Sequence, residues 1–245
     1  MLRKFSGGGN PMMRNGFSSS VSPSFSNTDQ GTMTVQGAIN KTFILFAIML
    51  VTAFINFQLQ SSVLMIGGAV GGLILVIVNV FKKEYSTVIA PSYAALEGLL
   101  VGGVTGIYAG FGGGIVIQAI SLTLLVLFVM LVIYKTGIIP ITNQFRMGVI
   151  MATGAIALMY VLTMVLGMFG IHIPYIHEGG TIGIIFSLGV IAIASLNLLL
   201  DFDMIVKGEQ NNFPKYMEWF SAMGLMITLV WLYFEILRLL GKMRN

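Results

Sequence analysis

Seven long apolar blocks follow one another along the chain and constrain its fold more than any other feature. Each is close to the ~20 residues that an α-helix needs to cross ~30 Å of hydrocarbon, where lipid cannot satisfy an open backbone. None alternates polar and apolar residues as the strands of a membrane barrel do. The sequence therefore predicts an all-α, polytopic integral membrane bundle of seven transmembrane helices, at about 41–58, 63–81, 93–111, 115–134, 147–169, 181–200 and 217–240.

The composition excludes a soluble single-domain enzyme and several kinds of site. Of the 245 residues, 56% are hydrophobic and only 9% are charged, whereas soluble domains carry about 25% charged residues. Cysteine is absent, which excludes disulfides, thiolate metal sites and a cysteine nucleophile. The net charge of +4 lies at segment ends rather than in a basic patch. We expect the lipid bilayer, and no nucleic acid, as a partner.

Residues 1–32 differ in composition from the rest of the chain. They are rich in Gly, Ser, Asn and Pro, and no apolar run follows Arg3 and Lys4 as it would in a signal peptide. The sequence predicts a disordered arm at 1–32 and one membrane domain at 33–245. Residues 33–41 are expected to extend the first helix.

Basic residues in the connections predict the orientation. Lys and Arg occur in the N-terminal arm and in the even-numbered connections, and the first, third and fifth connections have none. This alternation predicts that the N-terminus and the even-numbered connections are cytoplasmic. The three basic residues of the C-terminus oppose the pattern, because seven crossings place them outside: Arg238, Lys242 and Arg244.

Carboxylates at membrane depth are the candidate functional groups, because ionisable side chains there are expensive. Glu97, Asp201, Asp203 and Glu218 are all expected toward the cytoplasmic end of the bundle. Two carboxylates within a few Å of each other cannot both ionise cheaply, so they titrate as a unit. Such a pair could sense pH, hold a cation or gate a pore.

Helical spacing gives several acids a simpler interpretation as ion pairs near span ends. Asp203 precedes Lys207 by four residues, Glu218 follows Lys215 by three, and Glu235 precedes Arg238 by three. For these three acids an ion pair of structural importance is favoured over a functional role. Glu97 and Asp201 have no cationic neighbour at helical spacing and are favoured as functional.

Other candidate sites carry weaker signals. His172, His177 and Glu178 in the fifth connection do not follow a known metal-ligand spacing and favour an exposed, pH-responsive loop. The FGGGI run lacks the Lys and Ser/Thr of a phosphate loop. No nucleophile–base motif occurs, so neither enzymatic activity nor a cofactor is expected.

Two stretches resemble the Bax inhibitor-1 family. They are SLNLLLDFDMIVKGEQNNFPKYMEWFSAMGLMITLVWLYFEILRLLGK and APSYAALEGLLVGG, and the seven-span layout is similar as well. The long Gly/Ser arm is typical of a bacterial-type branch. The resemblance implies six helices around a central seventh. Members of the family are described as pH-sensitive calcium leak channels.

The resemblance also implies site residues. In the family's studied bacterial example an aspartate late in the sixth span pairs with one in the seventh, and protonation opens a path for calcium. Asp201 matches the first aspartate, whereas alignment on Arg238 places Thr228 at the second position. Glu97 or Glu218 would then supply the second carboxylate.

We therefore expect a non-enzymatic calcium-permeation protein with Asp201 as the gating carboxylate. Asp201 and Glu97 would touch the ion transiently, and Arg146 is the candidate for a carboxylate–arginine latch.

Two other functions remain open. A proton-coupled transporter would be favoured by inverted repeats, and none is evident. A regulatory subunit that binds a membrane protease or secretion component would be favoured by a long loop. The longest connection, about 201–216, is ordinary in length.

Overall fold

Seven α-helices account for nearly all of the chain that the structure, a computed structural model, describes: residues 31–112, 114–170 and 180–244. The arm at 1–30 and the candidates His172, His177 and Glu178 lie outside these residues. The seven blocks are confirmed as helices long and apolar enough to cross a membrane. They are α1 (Val35–Leu59), α2 (Ser62–Phe81), α3 (Ser86–Ala109), α4 (Ile115–Thr136), α5 (Asn143–Met168), α6 (Thr181–Gln210) and α7 (Met217–Lys242), with one short 3-10 turn at Lys83–Tyr85.

The outward faces of the helices are those of a membrane protein. Large apolar side chains are exposed on the outer helices, among them Phe43 at 71% and Val63 at 80% of their surface. Contiguous exposed apolar area of this kind marks a surface covered by lipid or protein. The chain is therefore a multi-pass membrane protein.

Three helices extend beyond the predicted spans by more than about one and a half turns at one end, and the extension of α1 was expected. α1 begins at Val35 because the Thr34 hydroxyl caps it, accepting a hydrogen bond from the Gly37 amide at 2.9 Å. α3 begins at Ser86 and accommodates Pro91 early in the helix. α6 continues to Gln210, past the end of the predicted span at about 200. Polar and charged residues continue this helix beyond the apolar run because their side chains can pair with one another there.

α7 is the most buried helix, and α5 is the least buried. Buried residues recur on α7 from Met217 to Lys242, and α7 packs against α1, α3, α4 and α6. On α5 the one buried residue is Val149. The expected ring of six helices around α7 stays a prediction.

Glycines allow α3 to pack closely against its neighbours. A Cβ atom at Gly103 would lie 2.8 Å from Met65 of α2, and Gly98 and Gly102 face the α1 backbone at Met49 and Ala53. The small-residue spacing on α3 therefore serves packing within the bundle.

Candidate functional site

Asp201 lies opposite Thr228, where the resemblance leads one to expect a second aspartate. The Thr228 hydroxyl of α7 is beside the Asp201 carboxylate of α6. Gly224, one turn earlier on α7, leaves space there, because even a Cβ atom would remain 4.0 Å from Asp201 Oδ1. Asp201 Oδ2 is buried and has no hydrogen-bond partner among the described residues. Asp201 is thus a lone carboxylate that faces a hydroxyl.

Asp203, two residues further along α6, has cationic partners. Its Oδ2 forms an ion pair with Arg146 of α5, and it also pairs with Lys207 at 2.9 Å. The predicted pairing of Asp203 with Lys207 is confirmed. Arg146, the candidate for a carboxylate–arginine latch, forms its ion pair with Asp203, and its role as a latch stays a prediction.

Glu97 occupies a separate position between α2 and α3. It is buried, and the hydroxyl of Tyr93 lies beside its carboxylate. A Cβ atom at Gly72 of α2 would lie 3.3 Å from Glu97 Oε2. In the described part of the chain no hydrogen bond joins Glu97 to Asp201. Glu97 lies eleven residues into α3 and Thr228 eleven into α7, a depth of about 16 Å along each helix.

Glu218 anchors the start of α1. Its Oε1 accepts hydrogen bonds from the Thr34 amide and the Thr34 hydroxyl, both at 3.0 Å, and pairs with Lys215 at 2.9 Å. Gly37 leaves the space that this carboxylate fills. The predicted ion pair with Lys215 is confirmed. Sequence reasoning missed the contact with Thr34, which is 184 residues away along the chain.

A second polar centre surrounds Glu235 near the other end of α7. The Arg238 Nη1 atom donates to Glu235 Oε1 at 2.9 Å, as the spacing predicted. The Tyr160 hydroxyl of α5 also donates to Glu235 Oε1, at 2.8 Å, and accepts from Arg238 at 2.7 Å. Nothing in the sequence pattern singled out Tyr160. The guanidinium of Arg238 also lies 5.0 Å from the centroid of the Tyr160 ring.

The basic C-terminal residues have partners within the protein. Lys242 Nζ donates to the Gly183 carbonyl at 3.1 Å and to the Ser187 hydroxyl at 3.0 Å, and Arg244 donates to the carbonyl of Gly112. These contacts place the end of α7 beside the start of α6 and the α3–α4 connection, as a full crossing requires.

Polar contacts at three levels attach α5 to the bundle. Arg146 binds Asp203 at one end, and Tyr160 binds Glu235 at the other. Between them, the Asn197 amide of α6 donates to the Thr153 hydroxyl at 2.7 Å. Because α5 buries so little apolar surface, these contacts carry much of its attachment.

Within the described residues, no three Asp, Glu or His side chains come together as a metal site.

Comparison with known proteins agrees with the seven-helix architecture. No curated protein matches the chain. Residues 10–245 match the model of the family described as Bax inhibitor 1 like. That match covers the whole helical bundle, including Asp201, Thr228 and Arg238, and the chain belongs to the Bax inhibitor 1 like family.

Proposed function

We propose that this membrane protein is a non-enzymatic, pH-responsive leak pathway for cations, with calcium as the expected ion. The observation that carries the proposal is the contrast between two aspartates on α6. Asp201 faces Thr228 with one oxygen unpartnered, whereas Asp203 holds α5 through Arg146. A cytoplasmic N-terminus and an inner-membrane location belong to the same proposal.

The proton sensor of this proposal is Asp201, and the ion pair between Asp203 and Arg146 is the latch that responds two residues away on the same helix. A shift of this end of α6 would weaken the ion pair, and an uncompensated guanidinium then favours a hydrated position. Because Val149 is the one buried residue of α5, little apolar burial resists its movement away from α6. Separation of α5 from α6 would admit water and a cation beside Asp201.

Asp201 and Glu97 would each be an acidic contact for a cation. They lie on different helices, α6 and α3, at membrane depth, where carboxylates mark ion paths. Neither has a Lys or Arg ion pair among the described residues. Each can therefore interact with a passing cation without first releasing a protein partner of opposite charge.

Calcium flux in proteoliposomes tests the proposal. We would compare acidic with alkaline pH for the wild type, Asp201→Asn, Asp203→Asn and Glu97→Gln, with Glu84→Gln as the matched control. Glu84 is exposed in the turn between α2 and α3, so the control should behave as the wild type. We expect an acid-activated leak, loss of its pH dependence in Asp201→Asn, and a leak at alkaline pH in Asp203→Asn.

The other functions predict different results. Folded protein that passes no calcium at any pH would overturn the leak. Flux that requires a co-transported substrate would instead favour a proton-coupled transporter. An inactive protein that co-purifies stoichiometrically with a membrane protease would favour a regulatory subunit.

A further inference from the structure

A long apolar groove opens along the side of the bundle between α1 and α4. It has a volume of about 950 Å³ and is bounded by α1 and α4, with residues of α3, α6 and α7 between them. Its α1 residues run from Val35 to Phe57, a rise of about 33 Å. The groove therefore extends through the thickness of a bilayer and reaches α7 at Leu225 and Leu229.

The lining of the groove is unsuited to water or ions. Its three threonines, Thr42, Thr105 and Thr123, all direct their hydroxyls into hydrogen bonds within the protein. The other lining residues include Phe46, Leu127 and many further apolar side chains, and no Asp, Glu, Lys or Arg lines it. A dry groove of this kind accepts an apolar occupant.

The shape and setting of the groove favour a hydrocarbon chain. Its apolar lining runs along α1 from Val35 to Phe57, and the outer faces of the bundle are apolar surfaces that lipid covers. An acyl chain can enter such a groove from the bilayer and follow it along its length without needing a polar partner.

Basic residues flank one end of the groove. Lys41 precedes the lining residue Thr42, and Lys135 follows the lining residue Tyr134. The ammonium group of Lys41 lies 5.2 Å from the centroid of the Trp219 ring. A lysine beside an aromatic ring is a common arrangement at the level of lipid headgroups. Basic positions between helices at this level attract anionic headgroups.

We propose that this groove is a binding site for an anionic phospholipid. An acyl chain lies along α1 and α4, and the phosphate headgroup interacts with Lys41 and Lys135. The lipid would fill the space between two helices that otherwise meet through α3, α6 and α7, and it would stabilise the bundle as a bound ligand does.

A matched pair of tryptophan variants tests occupancy of the groove. Leu124 and Leu125 are neighbours on α4 with exposures of 58% and 56%, and only Leu124 lines the groove. We would reconstitute each variant with phosphatidylglycerol and phosphatidylcholine, extract it in mild detergent and count retained lipids by native mass spectrometry. The wild type and Leu125→Trp should retain a phospholipid, and Leu124→Trp should lose it. Equal melting temperatures of the two variants without lipid would establish that both fold.

A second pair tests the headgroup. Lys41→Gln with Lys135→Gln should lower the preference for phosphatidylglycerol by roughly fivefold for each lysine lost. Lys82→Gln with Lys83→Gln, beyond the end of α2 and next to no lining residue of the groove, should keep it. Equal retention in Leu124→Trp and Leu125→Trp would overturn the site. So would a wild type without bound lipid, or a dimer that Leu124→Trp dissociates. An unchanged preference in the Lys41/Lys135 variant would overturn the headgroup assignment.

Discussion

Asp201 and Thr228 form an unequal pair at the residue scale. A hydroxyl can donate to an ionised carboxylate or accept from a protonated one, so it can serve both states of Asp201. In the structure the Thr228 hydroxyl lies beside the Asp201 carboxylate and also within hydrogen-bonding distance of the Gly224 carbonyl, at 3.3 Å. Its single proton can therefore be shared between the acid and the α7 backbone.

Thr228→Asp should restore a proton-sharing pair. The new carboxylate would lie beside that of Asp201, and two adjacent carboxylates cannot both ionise cheaply. The variant should therefore retain a proton to higher pH than the wild type. We expect the midpoint of acid-activated calcium leak to move upward by about one pH unit or more. Thr228→Asn is the control, because it has the same shape without the charge. Equal midpoints for Thr228→Asp and Thr228→Asn would contradict the pairing.

Local ion pairs were predictable from the sequence, whereas contacts between distant helices were not. Glu235 with Arg238 and Asp203 with Lys207 follow from helical spacing alone. Tyr160 with Glu235 requires the rotation of α5 against α7, and hydropathy does not determine that rotation when a helix is apolar on every face. For the same reason the sequence placed Arg146 as a latch without specifying which carboxylate it would bind.

At the scale of elements, α1 and α5 are attached to the bundle in different ways. α1 begins at a cap shared with α7, because Glu218 accepts from both the amide and the hydroxyl of Thr34. α5 depends on polar contacts at its two ends and at Thr153. A single substitution should therefore be able to weaken the attachment of α1 without weakening that of α5, and the reverse.

The α1 cap should be measurable as a coupling energy. Thr34→Val and Glu218→Gln should each lower the free energy of unfolding by about 1–2 kcal/mol, the usual range for a cap or a hydrogen bond to a charged group. The double variant should cost less than the sum, by about 1 kcal/mol, because both changes remove one contact. Reversible unfolding in mixed micelles gives these values. Full additivity would show that Thr34 and Glu218 stabilise the protein independently.

The α5 latch predicts a conformational change that can be measured by distance. The chain contains no cysteine, so spin labels can be placed on Met147 of α5 and Phe43 of α1, both exposed. Arg146→Gln should broaden or lengthen the distance distribution at neutral pH as acid does in the wild type. Arg146→Lys keeps a cation and is the control. Identical distributions in Arg146→Gln and the wild type at both pH values would exclude α5 as the moving helix.

At the scale of the whole molecule, the sequence predicted the number and limits of the crossings better than their arrangement. Seven apolar blocks are sufficient to predict seven helices because each must satisfy its own backbone in lipid. Packing order depends instead on side chains that approach from separate parts of the chain, such as Gly102 against Ala53. The conflict between the basic C-terminus and the charge pattern of the connections has the same origin, since the partners of Lys242 and Arg244 lie on distant elements.

The partners of Lys242 and Arg244 bear on the orientation of the whole chain in the membrane. The positive-inside rule counts Lys and Arg near the ends of the spans, and the first helix usually dominates the orientation. Arg238 is paired with Glu235, and Lys242 and Arg244 donate to protein carbonyls. These three residues should therefore not hold the C-terminus in the cytoplasm.

Single cysteines at Ser62, Glu84 and Met243, all at exposed positions, would report the side of each connection to a membrane-impermeant maleimide. Ser62→Cys and Met243→Cys should react in intact cells, and Glu84→Cys only after permeabilisation. Reaction of Met243→Cys together with Glu84→Cys would mean that the last helix does not complete its crossing, and the latch at Asp203 would then lie on the same side as the C-terminus.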